Sequence, residues 1–124
     1  MARFISVCRA SISNNSTLNS QTAVITGSTN SSGVPASTYG VILSILASNK
    51  NANSQNVTVN LVKGGSTTTS LITSGIVPSQ ASLEFMTGNK IIVEPGDWIK
   101  AYAGTASAVD ITVSYMLNSQ DASI

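Results

Sequence analysis

Apolar and polar residues alternate with a period of two along most of the chain. In QNVTVNLVK (55–63), Val57, Val59 and Leu61 share one parity, and Asn and Thr residues hold the other. VDITVSYML (109–117) repeats the pattern with Ile, Val, Tyr and Leu. Because successive side chains of a strand point to opposite faces of a sheet, each segment predicts a half-buried strand. No segment keeps the period of about 3.6 residues that predicts an amphipathic helix.

Glycine and proline mark the turns between these strands. The KGGS segment (63–66) carries a Gly-Gly turn, which predicts a hairpin. In EPGD, Pro95 presets the first central position of a turn, and Gly96 supplies the positive φ that a type II turn needs at the second. We therefore predict strands at 2–8, 22–26, 39–47, 55–63, 67–73, 81–86, 90–94, 97–103 and 108–117.

Many short strands joined by tight turns are typical of all-β sandwiches and barrels. The chain of 124 residues predicts a single domain, 1–124, folded as an antiparallel, jelly-roll-like β-sandwich. The polar region of about 11–37 is the main irregular part. We interpret it as surface loops, or as an arm that orders against a neighbouring chain.

Charged residues make up 9% of the chain, against about 25% in an average protein, and the net charge is +1. The basic residues lie far apart, and phosphate binding needs clustered Lys and Arg, so we expect no nucleic-acid partner. No apolar run approaches the roughly 20 residues of a membrane span, so we expect no membrane partner. A surface so poor in charge is weakly protected against association. It favours a protein that meets other copies or a larger assembly, and a neutral extracellular domain is the alternative.

Residues able to carry chemistry are few. The chain has no histidine and one cysteine, Cys8, which excludes Ser-His and Cys-His nucleophiles and zinc-thiolate sites. Glu94 and Asp97 face each other across the Pro-Gly turn, but a tight turn produces that spacing without any catalytic role. We predict no catalytic residue, no metal site and no cofactor, and hence a protein that is not an enzyme. Cys8 alternates with apolar neighbours, which predicts a buried strand position.

Two aromatic residues near the EPGD turn share one strand face with a lysine. Trp98, Lys100 and Tyr102 have the same parity, opposite Ile99 and Ala101. In one interpretation, Trp98 packs over the end of the sandwich and Tyr102 covers an edge. In the other, the three side chains lie outward and contact a sugar or a neighbouring subunit.

The segment SLEFMTGNKIIVEPGDWIKAYAGTASAVDITVSYML (82–117) resembles a stretch common in small structural proteins of tailed bacteriophages. ILSILASNKNANSQNVTVNLVKGGSTTTSLI (42–72) is similar to their apolar strand followed by a hairpin, so the resemblance covers roughly 39–117. It implies a compact all-β virion component, made in the cytoplasm of the bacterial host. It also implies homo-oligomers, in particular trimers, and partners such as the major capsid protein or tail proteins.

The resemblance favours a capsid decoration (cement) protein that stabilises the head. A tail, collar or fibre component of the virion remains open within the same class. A carbohydrate-binding module that uses Trp98 and Tyr102 remains open in a different class.

Overall fold

The computed structural model describes residues 3–16, 21–26, 34, 37–64, 67–86 and 90–119. These residues form strands and connecting turns, with no helix among them. The strands are β1 (Arg3–Arg9), β2 (Thr22–Ile25), β3 (Thr38–Asn49), β4 (Gln55–Lys63), β5 (Thr67–Val77), β6 (Ser82–Glu84), β7 (Ile91–Val93), β8 (Trp98–Ala103) and β9 (Val109–Ser119).

The strands form two antiparallel sheets that pack face to face. Sheet I has the order β1-β9-β3, with β6 and β7 both paired to the other side of β3, and sheet II has the order β2-β8-β4-β5. If β6 and β7 are counted as one interrupted strand, the fold has eight strands in two four-stranded sheets. The first and last strands of the chain, β1 and β9, are neighbours in sheet I. This arrangement is a jelly roll. The predicted all-β sandwich is therefore confirmed.

The core lies between the two sheets, where inward side chains alternate with outward ones along each strand. In β9, Ile111, Val113 and Tyr115 are fully buried, and in β8, Ile99 and Ala101 are fully buried. Tyr115 is the largest fully buried side chain among the described residues. Strand β9 of sheet I and strand β8 of sheet II thus supply facing parts of the core.

Each of the nine predicted strands is present, and the ends are shifted in all of them except β4. The hairpin predicted at KGGS joins β4 to β5, with Lys63 paired to Thr67. Strand β5 continues four residues beyond the predicted end at 73, because Gly75 to Val77 pair with the start of β4. Strand β6 is shorter than the predicted 81–86, since only Ser82–Glu84 stay in register with β3.

Cys8 is exposed, so the prediction of a buried position is wrong. In β1, Phe4, Ser6 and Cys8 are exposed, whereas Ile5 and Val7 face the core. Both parities of this strand carry apolar residues, so alternation alone did not identify the inward one. Pairing with β9 decides it, because Cys8 lies opposite Thr112 on the outward side.

The described part of the polar region packs on its own sandwich. Ile12 is fully buried, its N–H donates to the Val109 carbonyl at 2.9 Å, and its carbonyl accepts the Ser107 N–H at 3.2 Å. The Ser13 carbonyl accepts the Ala103 N–H at 2.9 Å. Residues 17–20, 27–33 and 35–36 of the predicted loop or arm lie outside the described residues.

Candidate functional site

An apolar row crosses the outward face of sheet I. Phe4 of β1 lies opposite Met116 of β9, Met116 lies opposite Val41 of β3, and Val41 lies opposite Ile92 of β7. Phe4 is 73% exposed and Ile92 is 49% exposed. Residues directly opposite each other in antiparallel strands place their side chains side by side. The four side chains, called the apolar row below, therefore form one continuous stripe across the sheet.

The rows beside this stripe are mostly uncharged. Ser6, Ser114 and Ser44 form the next row of the same face. Beyond it, Cys8 lies opposite Thr112, whose hydroxyl donates to the thiol sulfur at 3.5 Å. None of these five residues is acidic or basic, so burying them against another protein removes no charge from water, a step that would cost free energy.

Glu84 extends the row of Cys8 and Thr112, because it lies opposite Leu46 of β3, and its carboxylate is held by the protein itself. The Ser44 hydroxyl donates to one oxygen, and the backbone N–H groups of Ile45 and Met86 donate to the other at 3.2 and 2.7 Å. Strand β3 has one extra residue, Leu43, at this point, which breaks the regular ladder. The carboxylate thus satisfies backbone donors beside the bulge, where β6 ends.

At the EPGD corner, Gly96 has a φ of +90° and the Asp97 N–H donates to the Glu94 carbonyl at 3.0 Å. These are the features of a type II turn with Pro95 at the first central position. Asp97 is only 3% exposed. Its carboxylate accepts bonds from the backbone N–H groups of Gly64 at 3.0 Å and Glu94 at 2.8 Å.

Lys63 completes this corner. Its ammonium lies 2.5 Å from Asp97 and 2.9 Å from the exposed carboxylate of Glu94. Burial acts to raise the pKa of Asp97, but the bonds from Lys63, Glu94 and Gly64 together outweigh it and hold that pKa below its ordinary value. The two acids that the sequence places across the turn therefore serve to join the β7–β8 turn to the β4–β5 turn.

Trp98, Lys100 and Tyr102 lie on the outward face of sheet II, each half-buried, while Ile99 and Ala101 between them are fully buried. The Lys100 ammonium lies 4.7 Å from the centroid of the Trp98 ring, within the range of a cation–π contact. The Lys100 ammonium therefore occupies one surface of the Trp98 ring. Tyr102 is the aromatic side chain on the outward face of β8 without a cation–π contact of this kind.

A pair of buried amides lies beside this aromatic face. The Asn60 side-chain amide donates to the Gln21 side-chain oxygen at 3.0 Å, and the Gln21 amide donates to the Ser16 carbonyl at 2.9 Å. Asn60 is 5% exposed and Gln21 is 9% exposed. Asn60 and Lys100 are direct cross-strand partners. These bonds link the segment before β2 to the outward side of β4.

The apolar row is the surface that sequence reasoning missed. Val41, Ile92 and Met116 lie on the outward faces of their strands. The signal available in the sequence was an apolar residue on the side of the strand that was predicted to be polar. That signal is scattered over distant parts of the chain. It becomes a surface only when β1, β9, β3 and β7 are placed side by side.

Among the described residues, no group of His, Cys, Asp and Glu side chains has a geometry that could hold a metal ion. None of the described residues belongs to a helix long and apolar enough to cross a membrane.

No family model matches the chain, and no curated protein matches it. Among solved structures, the chain is similar to one described as Bacillus endospore appendages that form a novel family of disulfide-linked pili. The two are 19% identical, the TM-score is 0.46, and the match covers 94% of this chain and 85% of that chain. The function proposed below rests on the sequence and geometry of this chain and not on that likeness.

Proposed function

We propose that the chain is a non-enzymatic structural subunit of a tailed-bacteriophage virion. In this proposal it is a decoration (cement) protein that stabilises the head by packing the apolar row of sheet I against the major capsid protein. The class of protein comes from the resemblance over 39–117. The apolar row that we assign as the contact surface is supported by the exposure of Phe4 and Ile92.

The observation that carries the proposal is the exposure of large apolar side chains in one aligned row. An isolated exposed apolar residue is ordinary, but a contiguous apolar stripe bordered by polar residues is typical of protein–protein contact sites. Phe4 and Ile92, at the two ends of the row, are among the most exposed large apolar side chains of the described residues. Burying them against a partner removes apolar surface from water at a gain of about 25 cal/mol per Å².

The proposal includes a homo-oligomer, and the trimeric order implied by the resemblance stays a prediction. A tail, collar or fibre component would use the same kind of contact at another place in the particle. Labelling intact particles with an antibody against this chain separates these roles. Signal over the head supports decoration, and signal confined to the tail or collar replaces decoration with the alternative.

The test uses particles of the phage that carries this gene, produced with the gene deleted. Wild-type protein is expected to bind them and to raise their resistance to heat. Ile92→Ser is expected to weaken binding about tenfold, which corresponds to about 1.4 kcal/mol. Ile76→Ser is the matched control, because Ile76 is 64% exposed but lies in sheet II. Failure of the wild-type protein to bind any part of the particle contradicts the virion proposal, and equal binding by both variants contradicts the assigned face.

A second candidate function is favoured by one specific observation, the outward position of Trp98 and Tyr102 on one strand face. Half-exposed aromatic side chains on one face can stack on sugar rings, although the Lys100 ammonium competes for one surface of Trp98. A glycan array decides this case. Specific binding that is lost in Tyr102→Ala supports a carbohydrate-binding module, and an array without signal removes it.

A further inference from the structure

The two sheets have four edges within the described residues, and three of them are protected against pairing with another chain. Strands β6 and β7 have three residues each, and β2 has four residues with a register shift between Ala23 and Ile25. Strand β5 is long, but it has register shifts at two places in its pairing with β4. Short strands and bulges are the devices by which proteins prevent edge-to-edge pairing.

Strand β1 is the exception. Its seven residues pair with β9 without any register shift, and the residues between its terminal arginines, FISVC, carry no charge and no proline. Arg9 blocks only one end, where its guanidinium donates to the Cys8 carbonyl and to the Ala23 carbonyl, each at 3.1 Å. A regular, uncharged edge of this kind is a template for a further strand.

The side chains of β1 also leave apolar surface uncovered. Ile5 and Val7 face the core but remain partly exposed, whereas their partners in β9, Tyr115 and Val113, are fully buried. Phe4, on the outward side, is 73% exposed. The sandwich is therefore incompletely closed along β1, on both sides of the sheet, and a neighbouring strand would pack beside all three side chains.

We propose that β1 pairs antiparallel with β1 of a second copy of this chain, so that sheet I continues across a two-fold axis. We assign a second copy as the partner because β1 is the single long edge without bulges among the described residues. A two-fold axis places the same edge of both copies in contact, so β1 of one copy pairs with β1 of the other. This inference deepens the homo-oligomer part of the proposed function and rests on it. It assigns a two-fold contact where the resemblance implies a trimer.

The free part of the edge defines the register. Because Arg9 occupies the Cys8 carbonyl, the pairing centres on Ile5, and Phe4 of each copy lies opposite Ser6 of the other. The two Phe4 rings are then diagonal neighbours, a spacing within the reach of aromatic side chains. In this arrangement the apolar rows of the two copies meet at the axis and form one longer stripe.

The experiment combines mass and hydrogen exchange on the full chain under reducing conditions. Sedimentation over about a thousandfold range of concentration is expected to show a monomer–dimer equilibrium. Amide exchange in the peptide covering β1 is expected to slow as dimer forms, while exchange in β5 stays constant. Ser6→Lys is expected to weaken the dimer about tenfold. The two-fold axis places a lysine of each copy opposite Phe4 of the other, so two charges enter the contact. Thr69→Lys, which adds the same charge to the exposed side of β5, is the matched control.

The outcomes test the two-fold contact separately from the virion proposal. A dimer with protected β1 amides that Ser6→Lys dissociates supports the inference. A trimer, a monomer at all concentrations, or a dimer whose β1 amides exchange freely overturns it. Particle binding by the same protein samples is measured independently, so the inference can fail while the virion proposal stands, and failure of particle binding leaves a measured two-fold contact in place.

Discussion

The ammonium of Lys63 lies 2.5 Å from the carboxylate of Asp97, although Lys63 ends β4 and Asp97 lies in the turn between β7 and β8. The same carboxylate accepts the N–H groups of Gly64 and Glu94. Asp97 is 3% exposed, whereas the Lys63 side chain is 39% exposed. The ion pair with Lys63 and the two backbone bonds both stabilise this acid, and water screens the ion pair because the lysine is exposed.

Replacing Asp97 with alanine is expected to lower the free energy of unfolding by about 2–4 kcal/mol, because two backbone donors lose their acceptor. Glu94→Ala is the control, since the Glu94 side chain is 56% exposed and binds the same lysine. It is expected to change stability by no more than about 0.5 kcal/mol. Urea unfolding of the two variants measures the difference, and equal midpoints would show that the corner does not depend on Asp97.

Acid is expected to weaken this corner. The pKa of Asp97 lies below its ordinary value of 3.8 in the folded chain, so its contribution to stability is complete above that pH. As the pH falls below 3.8 and towards the folded pKa, the unfolded chain binds the proton more readily and the contribution is lost. Asp110, whose pKa is lowered mainly by the Ser11 N–H, adds to the same trend.

Asp97→Asn isolates the part that belongs to the corner. The urea midpoint of this variant is expected to fall less steeply between pH 5 and pH 2 than that of the wild type, and the remaining slope belongs to Asp110 and the other carboxylates. Parallel midpoint curves for the two proteins would falsify the assigned role of Asp97.

Gly96→Ala is expected to cost about 1–2 kcal/mol, because Gly96 has a φ of +90° and an L side chain is strained there. A Cβ at this position meets no atom within 4 Å, so backbone strain is the whole of the effect. Gly104→Ala is the matched control, since its Cβ would make only an ordinary 3.5 Å contact with Gln55. Thermal unfolding of both variants checks the comparison, and a loss at Gly104 as large as that at Gly96 would contradict it.

Cys8 is expected to react with a thiol reagent in the native protein, at a rate near that of the urea-unfolded chain, because its side chain is exposed on the outward face of β1. The control is Val113→Cys in a Cys8→Ser background, which places the thiol at a fully buried position of β9. That thiol is expected to react only after unfolding. The reaction is followed at low protein concentration, and a native Cys8 that stays unreactive would show that β1 faces the other way.

The class of fold, the approximate strands and the turn at EPGD are predictable from the amino-acid sequence. Alternation in β4, β8 and β9 is a property of neighbouring residues, so it is readable without knowing which strands meet. The shared parity of Trp98, Lys100 and Tyr102 predicted a common face of β8, and whether that face lies outward was left open by the sequence. Pro95 and Gly96 restrict their own backbone, and a turn needs little else.

The tertiary structure alone decided which outward residues form a surface. Phe4 and Met116 are adjacent although they lie 112 positions apart along the chain, and Cys8 faces outward because of its register with Thr112. Asp97 was predicted as part of a local turn, and its bonds to Lys63 and Gly64 come from the distant β4–β5 hairpin. Register between distant strands depends on many weak packing interactions and hydrogen bonds over the whole sandwich. The alternation within one segment does not contain that information.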